Sequence, residues 1–335
     1  MDKPRDFRID LMRAFACIMV IICHSPQDFT NQGGQWIIGV VNYFGMAWGP
    51  ILFFLISGAC ILDGEREAIP FLRKRFSRIL CPTVIWSFFY ILLETFCWKT
   101  SPIDGWYHKI PYILVGPQYG LLWFMYELVA IYLIAPILSR WLKSCSKKEI
   151  QIYLLIWSIT LMIPYLKIWD IDLNGLTYLT YNSGFLWCAV LGFYCKKFVK
   201  IEKLRIYHIA IVIFAIISPL IILLIKNVSG KTINSSLSLL PMLTTATAFV
   251  FIYNIKLPKA LTNSNIGSFI NLISRLSFGI YLCHMLFLHP FNNWIAQFNL
   301  NYAIQIPITV LVIGSISLGF SWILSKMPFS RFLIG

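Results

Sequence analysis

The sequence is short of charge, and of acidic charge above all. Only 13% of its 335 residues are charged, about half the share in a soluble globular domain. Lys and Arg number 28 against 14 Asp and Glu, a net charge of +14. There is no long hydrophilic stretch, no internal repeat and no low-complexity segment. These lacks exclude a water-soluble enzyme or a string of soluble domains. The basic excess does not indicate nucleic acid as a partner, because there is no basic face or tail. The positive residues sit in short clusters between apolar runs, as the positive-inside rule produces when many loops share it, and membrane lipids are the expected contact. Cysteine pairs at metal-ligand spacing are missing as well. The nine cysteines (Cys17, Cys23, Cys60, Cys81, Cys97, Cys145, Cys188, Cys195 and Cys283) form no CxxC and no Cys/His ligand pattern, so neither a metal site nor a disulfide framework is expected.

What is abundant is apolar surface: 58% of the residues are hydrophobic and 16% aromatic, with a mean hydropathy of +0.73. Apolar runs fall at roughly 11–29, 44–62, 79–98, 119–141, 150–167, 181–195, 206–226, 237–255, 276–296 and 302–325. Several approach the 20 or so residues that cross a hydrocarbon core, which predicts an all-α polytopic bundle of about ten transmembrane helices. The run at 181–195 is short, fitting a tilted, partner-packed helix or part of a broken one. With the N-terminus inside, the inner segments carry 23 of the basic residues and the outer ones 5, so both ends are expected in the cytoplasm. The basic N-terminal segment lacks a small-residue cleavage site and is read as the start of a retained helix. Residues 99–118, rich in aromatics, Gly and Pro, suit an outer interfacial loop, while the polar stretch 257–275 suits the inner surface. The whole of 1–335 is expected to form one membrane-embedded domain.

Ionisable residues inside a bilayer are costly and are functional candidates by default. The first run carries the strongest set. Asp10 and Arg13 are three apart and share a helix face. Arg13 and His24 are eleven apart, about three turns, on one face and roughly 16 Å apart along the axis. Arginine suits phosphate or carboxylate, and histidine suits proton transfer near neutral pH. The plainer alternative is a snorkelling arginine and an interfacial histidine. Ser57-Gly58, after Phe53-Phe54, reads mainly as close helix packing. The basic stretch Arg73–Pro82, with Arg75 and Arg78, reads as a topology anchor or a phosphate-binding loop. Glu127, with Trp123 one turn away, and Glu94 are carboxylates in apolar runs. Each must face protein or a cavity, either as a neutral acid bonded to a neighbouring helix or as the partner of a histidine. Late in the chain, Tyr281 and His284 share a face, and His289 points elsewhere.

Taken in order, these residues resemble acyltransferase family 3, the bacterial membrane O-acyltransferases of surface polysaccharides. The match rests on Arg13-x10-His24, Phe53-Phe54 with Ser57-Gly58, Arg75-x-x-Arg78 before Pro82, Leu122-Trp123-Phe124 with Tyr132 and Pro136, and Ser277–Tyr281 before His284. It runs from residue 7 to about 290; the last helix fits in length and topology only. The resemblance implies an acetyl-CoA or other short acyl-CoA donor from the cytoplasm and an acceptor hydroxyl on a surface or lipid-linked glycan. It implies the single-domain type, which includes O-antigen and enterobacterial common antigen O-acetyltransferases of the bacterial inner membrane. It places the family's histidine at His24, its arginine at Arg13 and its paired arginines at Arg75 and Arg78. On this reading the three arginines hold the coenzyme A phosphates, and His24 is the general base, with an acyl-histidine intermediate as a variant. Glu127 orients the imidazole or contacts the sugar; Asp10, Trp123, Tyr281 and His284 stand behind them. The rival classes are a glycan or solute transporter, to which intramembrane Arg, His and Glu are equally suited, and a non-catalytic partner of a synthase.

Overall fold

Asp6 starts the first helix in a way its side chain dictates. Its backbone is extended and its carboxylate accepts the Arg8 amide, so it caps α1 (Phe7–His24). The same carboxylate pairs with the Arg8 guanidinium at 2.8 Å. Burial pushes the Asp6 carboxyl up, but the hydrogen bonds and charge of Arg8 overcome this and hold it below the usual range. Arg8 also donates to the Tyr253 carbonyl at 2.9 Å and lies over the Tyr253 ring, tying the start of α1 to another helix end.

The computed structural model describes residues 6–25, 35–64, 67–162, 184–202, 206–229 and 237–335. Among the described residues there are helices and no strand. After α1 come α2 (Gln35–Met46), α3 (Leu52–Ile61), α4 (Ala68–Arg75), α5 (Cys81–Leu92), α6 (Trp123–Ser144), α7 (Lys147–Thr160) and α8 (Leu186–Phe198). They are followed by α9 (Ile206–Ser229), α10 (Leu239–Asn254), α11 (Asn265–Ile295), α12 (Tyr302–Ser325) and α13 (Ser330–Ile334). Among the described residues, five continuous helical segments are long and apolar enough to cross a membrane: Ile37–Ile61, Ala68–Cys97, Gly120–Ser144, Asn265–Phe298 and Tyr302–Ser325. Large apolar side chains such as Phe214, Leu311 and Ile323 are exposed on the outside of the bundle, where only lipid suits them. The chain is an all-α, multi-pass membrane protein.

Two stretches differ from the sequence reading. Arg73–Pro82 is not a loop: it lies within the continuous helix Ala68–Cys97. Pro82 has no N–H, and its ring crowds the carbonyl one turn back. A wide π-helical turn, Phe76–Leu80, closed by the Cys81 amide on the Phe76 carbonyl, absorbs the misfit. The stretch 257–275 does not lie along the surface as a whole. Ser264 caps α11 through the Gly267 amide, so Asn271 and Arg275 stand on that long helix. The short run expected at 181–195 is the 13-residue helix α8; its first residues, up to 183, are outside the described ones.

Small residues let α3 and α8 touch. A Cβ on Gly58 would lie 1.8 Å from the Ala189 carbonyl oxygen, and one on Gly192 would lie 1.9 Å from that of Leu55. The close-packing role expected of Gly58 is what the crossing uses. On the other side of the core, α1 and α11 run side by side in the same direction. Asp10 meets Ser274, Cys17 meets the Ser277 carbonyl, and His24 meets His284. The next helix, α12, returns antiparallel, with Ser321 against Gly279 and Ser317 against Cys283.

Candidate active site

The parallel pair α1 and α11 carries the same chemistry twice. Each has an arginine, Arg13 and Arg275, and a histidine further along, His24 and His284. The spacings of eleven and nine residues correspond to about 16 Å and 14 Å of helix rise. Between the helix elements at the arginine end is a cavity of about 370 Å³. Arg13, Arg75, Arg78 and Arg275 all line it, with Ser57, Tyr132 and Tyr281 as further polar groups. Ile334 and Gly335 close one side, because α13 folds back against α5, where Trp86 donates to the Leu333 carbonyl at 2.9 Å.

Each arginine is held differently. Arg75 lies over the rings of Tyr132 and Phe71, at 5.2 Å and 5.6 Å from their centroids. Such contacts fix the direction of the guanidinium while leaving its donors for a ligand. Arg13 reaches the Cys60 sulfur at 3.8 Å, a weak acceptor. Arg78 and Arg275 are exposed at the cavity rim. Four guanidiniums around one cavity repel one another and are suited to a polyanion, above all to phosphate groups that accept paired N–H donors. Asp10, although only three residues from Arg13, is buried on α11, where Ser274 donates to it at 2.6 Å.

At its inner end the cavity meets rings. Phe53, Phe124 and Tyr281 line it there; Phe124 and Tyr281 are 5.3 Å apart, and the Tyr281 hydroxyl donates to the Leu121 carbonyl. One turn beyond Tyr281 lies His284, and its ring is 5.4 Å from that of His24. His284 is fully buried. Its Nδ1 is 2.7 Å from the Tyr281 carbonyl oxygen, which can only accept, so Nδ1 carries the proton. The opposite nitrogen, Nε2, is buried without a hydrogen-bond partner, which in an ordinary core costs about 1–3 kcal/mol.

The structure therefore brings Arg13, Arg75, Arg78 and Tyr281 to one cavity, and His24 and His284 to each other beyond Tyr281, outside the cavity lining. It adds Arg275, which in the sequence is one of the basic residues of the inner segments; the Arg-to-His spacing shared with α1 is the signal that could have found it. Other candidates lie elsewhere. Trp123 packs between Phe54 and Phe185, at 6.2 Å and 5.2 Å, in an aromatic cluster. The described contacts of Glu127 are at the start of α8, with the Phe185 backbone and beside Gly184. Glu94 pairs with Lys109 at 3.6 Å, and His289 faces Trp98 at 4.5 Å. Among the described residues no group of His, Cys, Asp and Glu is arranged to hold a metal ion.

A family model described as an acyltransferase domain matches residues 6–326, nearly the whole chain. The chain belongs to acyltransferase family 3. No curated protein and no solved structure matches it. Membership makes this membrane protein an acyltransferase, with an acyl donor and an acceptor as its substrates.

Proposed function

We propose that this acyltransferase carries a short acyl group, acetyl in the first place, from acyl-CoA to a sugar hydroxyl of a surface or lipid-linked polysaccharide. It works from the bacterial cytoplasmic membrane, crossing it about ten times with both ends inside. The observation that carries this reading is the four-arginine cavity beside α1 and α11, with a histidine on each of the same two helices about two to three turns further along. A donor with several phosphates on a long flexible arm matches that layout: anions at one end, the reacting carbon at the other.

In this reading Arg13, Arg75, Arg78 and Arg275 hold the phosphates from the cytoplasm, and the arm runs past Tyr281 between α1 and α11. His24 takes the proton of the acceptor hydroxyl as its oxygen attacks the thioester carbon. The C–S bond breaks, and His24 returns the proton to the leaving sulfur. Positioning the two substrates supplies much of the rate, and base catalysis contributes about 10²–10⁴-fold. Glu127, at the α8 end of the bundle, is assigned to the acceptor sugar.

The test is turnover by the purified protein with acyl-CoA labelled in its acyl group and a glycan extract as acceptor. Free thiol released only in the presence of glycan, with label bound covalently to the glycan, is the expected result. Arg75→Ala with Arg78→Ala should raise KM for the donor, and His24→Ala should abolish transfer without abolishing donor binding. Movement of glycan across vesicles with no covalent product would replace this reading by transport.

A further inference from the structure

We infer that His284 is a positioning residue for His24: its bare Nε2 accepts the N–H of the His24 ring and so fixes which nitrogen of His24 faces the acceptor hydroxyl. The inference rests on the acyl-transfer reading of His24 given above, and it concerns a residue that touches neither substrate.

Four observations lead to it. The Tyr281 carbonyl, 2.7 Å from His284 Nδ1, sets the tautomer of His284 and leaves Nε2 as a lone pair. That lone pair is fully buried and has no partner. The ring of His24 is its aromatic neighbour, 5.4 Å away between centroids and inclined by 35°. At this separation two imidazole nitrogens that face one another lie within hydrogen-bond range. Finally, the two rings differ in access: His284 is fully buried, whereas His24 is partly exposed, so a substrate reaches His24 first.

The chain of hydrogen bonds is then Tyr281 carbonyl, His284 Nδ1–H, His284 Nε2 and His24 N–H, which turns the second His24 nitrogen toward the acceptor. That second nitrogen removes the hydroxyl proton. As His24 becomes an imidazolium, its N–H to His284 strengthens and spreads the new charge toward the Tyr281 carbonyl. No proton needs to leave His24 for His284; the proton gained from the hydroxyl goes on to the departing sulfur. The parallel course of α1 and α11, pinned at the other end by Ser274 on Asp10, holds the two rings at one level.

The sequence holds five histidines, so the full chain labelled with ¹⁵N-histidine gives a spectrum that His24→Ala and His284→Ala assign by difference. The expected result is His284 with Nδ1 protonated and His24 in a single tautomer. In His284→Ala, His24 should populate both tautomers, and kcat should fall by about 10²-fold with KM for the acyl donor unchanged. His284→Gln, whose amide oxygen replaces the Nε2 acceptor, should restore the single tautomer and part of kcat. A His24 spectrum unchanged by His284→Ala would overturn the inference, as would a folded His284→Ala protein with full kcat. If the wild-type protein transfers no acyl group, the acyl-transfer reading fails, while the tautomer comparison still decides whether the two rings are paired.

Discussion

Replacing Gly58 by alanine tests the packing that positions the cavity wall. A Cβ there would sit 1.8 Å from the Ala189 carbonyl oxygen, where ordinary contact begins at 3.4 Å. To admit it, α3 and α8 must part by about 1.5 Å, because both sides of the contact are backbone and no rotamer change relieves it. Overpacking of this kind costs about 1–3 kcal/mol, and the rigid obstacle puts Gly58→Ala at the upper end. Gly192→Ala meets the same crossing from the other side, 1.9 Å from the Leu55 carbonyl oxygen. Once one substitution has opened the crossing, the second finds it open, so the double variant should lose less than the sum of the two. Gly319 is the control, since a Cβ there meets nothing within 4 Å. Gly319→Ala should stabilise by about 0.5–1 kcal/mol through lower backbone freedom in the unfolded chain. Thermal unfolding in detergent should order the variants Gly319→Ala, wild type, Gly58→Ala, from most to least stable. Because Phe53 and Ser57 on α3 line the arginine cavity, Gly58→Ala should also weaken donor binding. A Gly58→Ala protein as stable as Gly319→Ala would refute the reasoning.

Arg275→Ala should weaken acyl-CoA binding about tenfold, through loss of roughly 1.5 kcal/mol of charged hydrogen bonding, and titration calorimetry at fixed salt reads this directly. Arg75→Lys should weaken it too despite keeping the charge, since an ammonium loses both the planar fork and the fixed seat over Tyr132. Asp6→Ala should cost about 1 kcal/mol of stability by removing the cap of α1. The Asp6 carboxyl lies below its ordinary value of 3.8, so the contribution of its charge is complete above that pH and is lost as pH falls through the depressed value. Unfolding free energies of wild type and Asp6→Asn should therefore converge in acid and differ near neutrality by about 0.5 kcal/mol, since the pair with Arg8 is partly exposed and screened.

Hydropathy made much of the fold legible, because a bilayer forces each crossing segment to be helical and mostly apolar. Every apolar run read from the sequence contains a helix in the structure. The misreadings have one cause. Apolar length reports where lipid touches a helix, not where the helix ends, so Arg73–Arg78 and Asn265–Arg275 looked like loops although their helices continue into the polar zone. The Arg13–His24 register was legible because both residues lie on one helix. Whether Glu127 faces His24 depends on how α6 packs, which its own spacing cannot report, and the same holds for Trp123 among Phe54 and Phe185. Arg275 was hidden because its charge served equally well as a topology anchor. Only the pairing of α11 with α1 sets it beside Arg13, as it sets His284 beside His24.

The central claim is that His24 drives acyl transfer to a glycan. Its most direct test is mass spectrometry of the surface glycan from cells making either the intact protein or His24→Ala at matched levels. An acyl mass added only by the intact protein is the predicted result, and its size identifies the group. Glycan acylated to the same extent by the His24→Ala protein would contradict the claim.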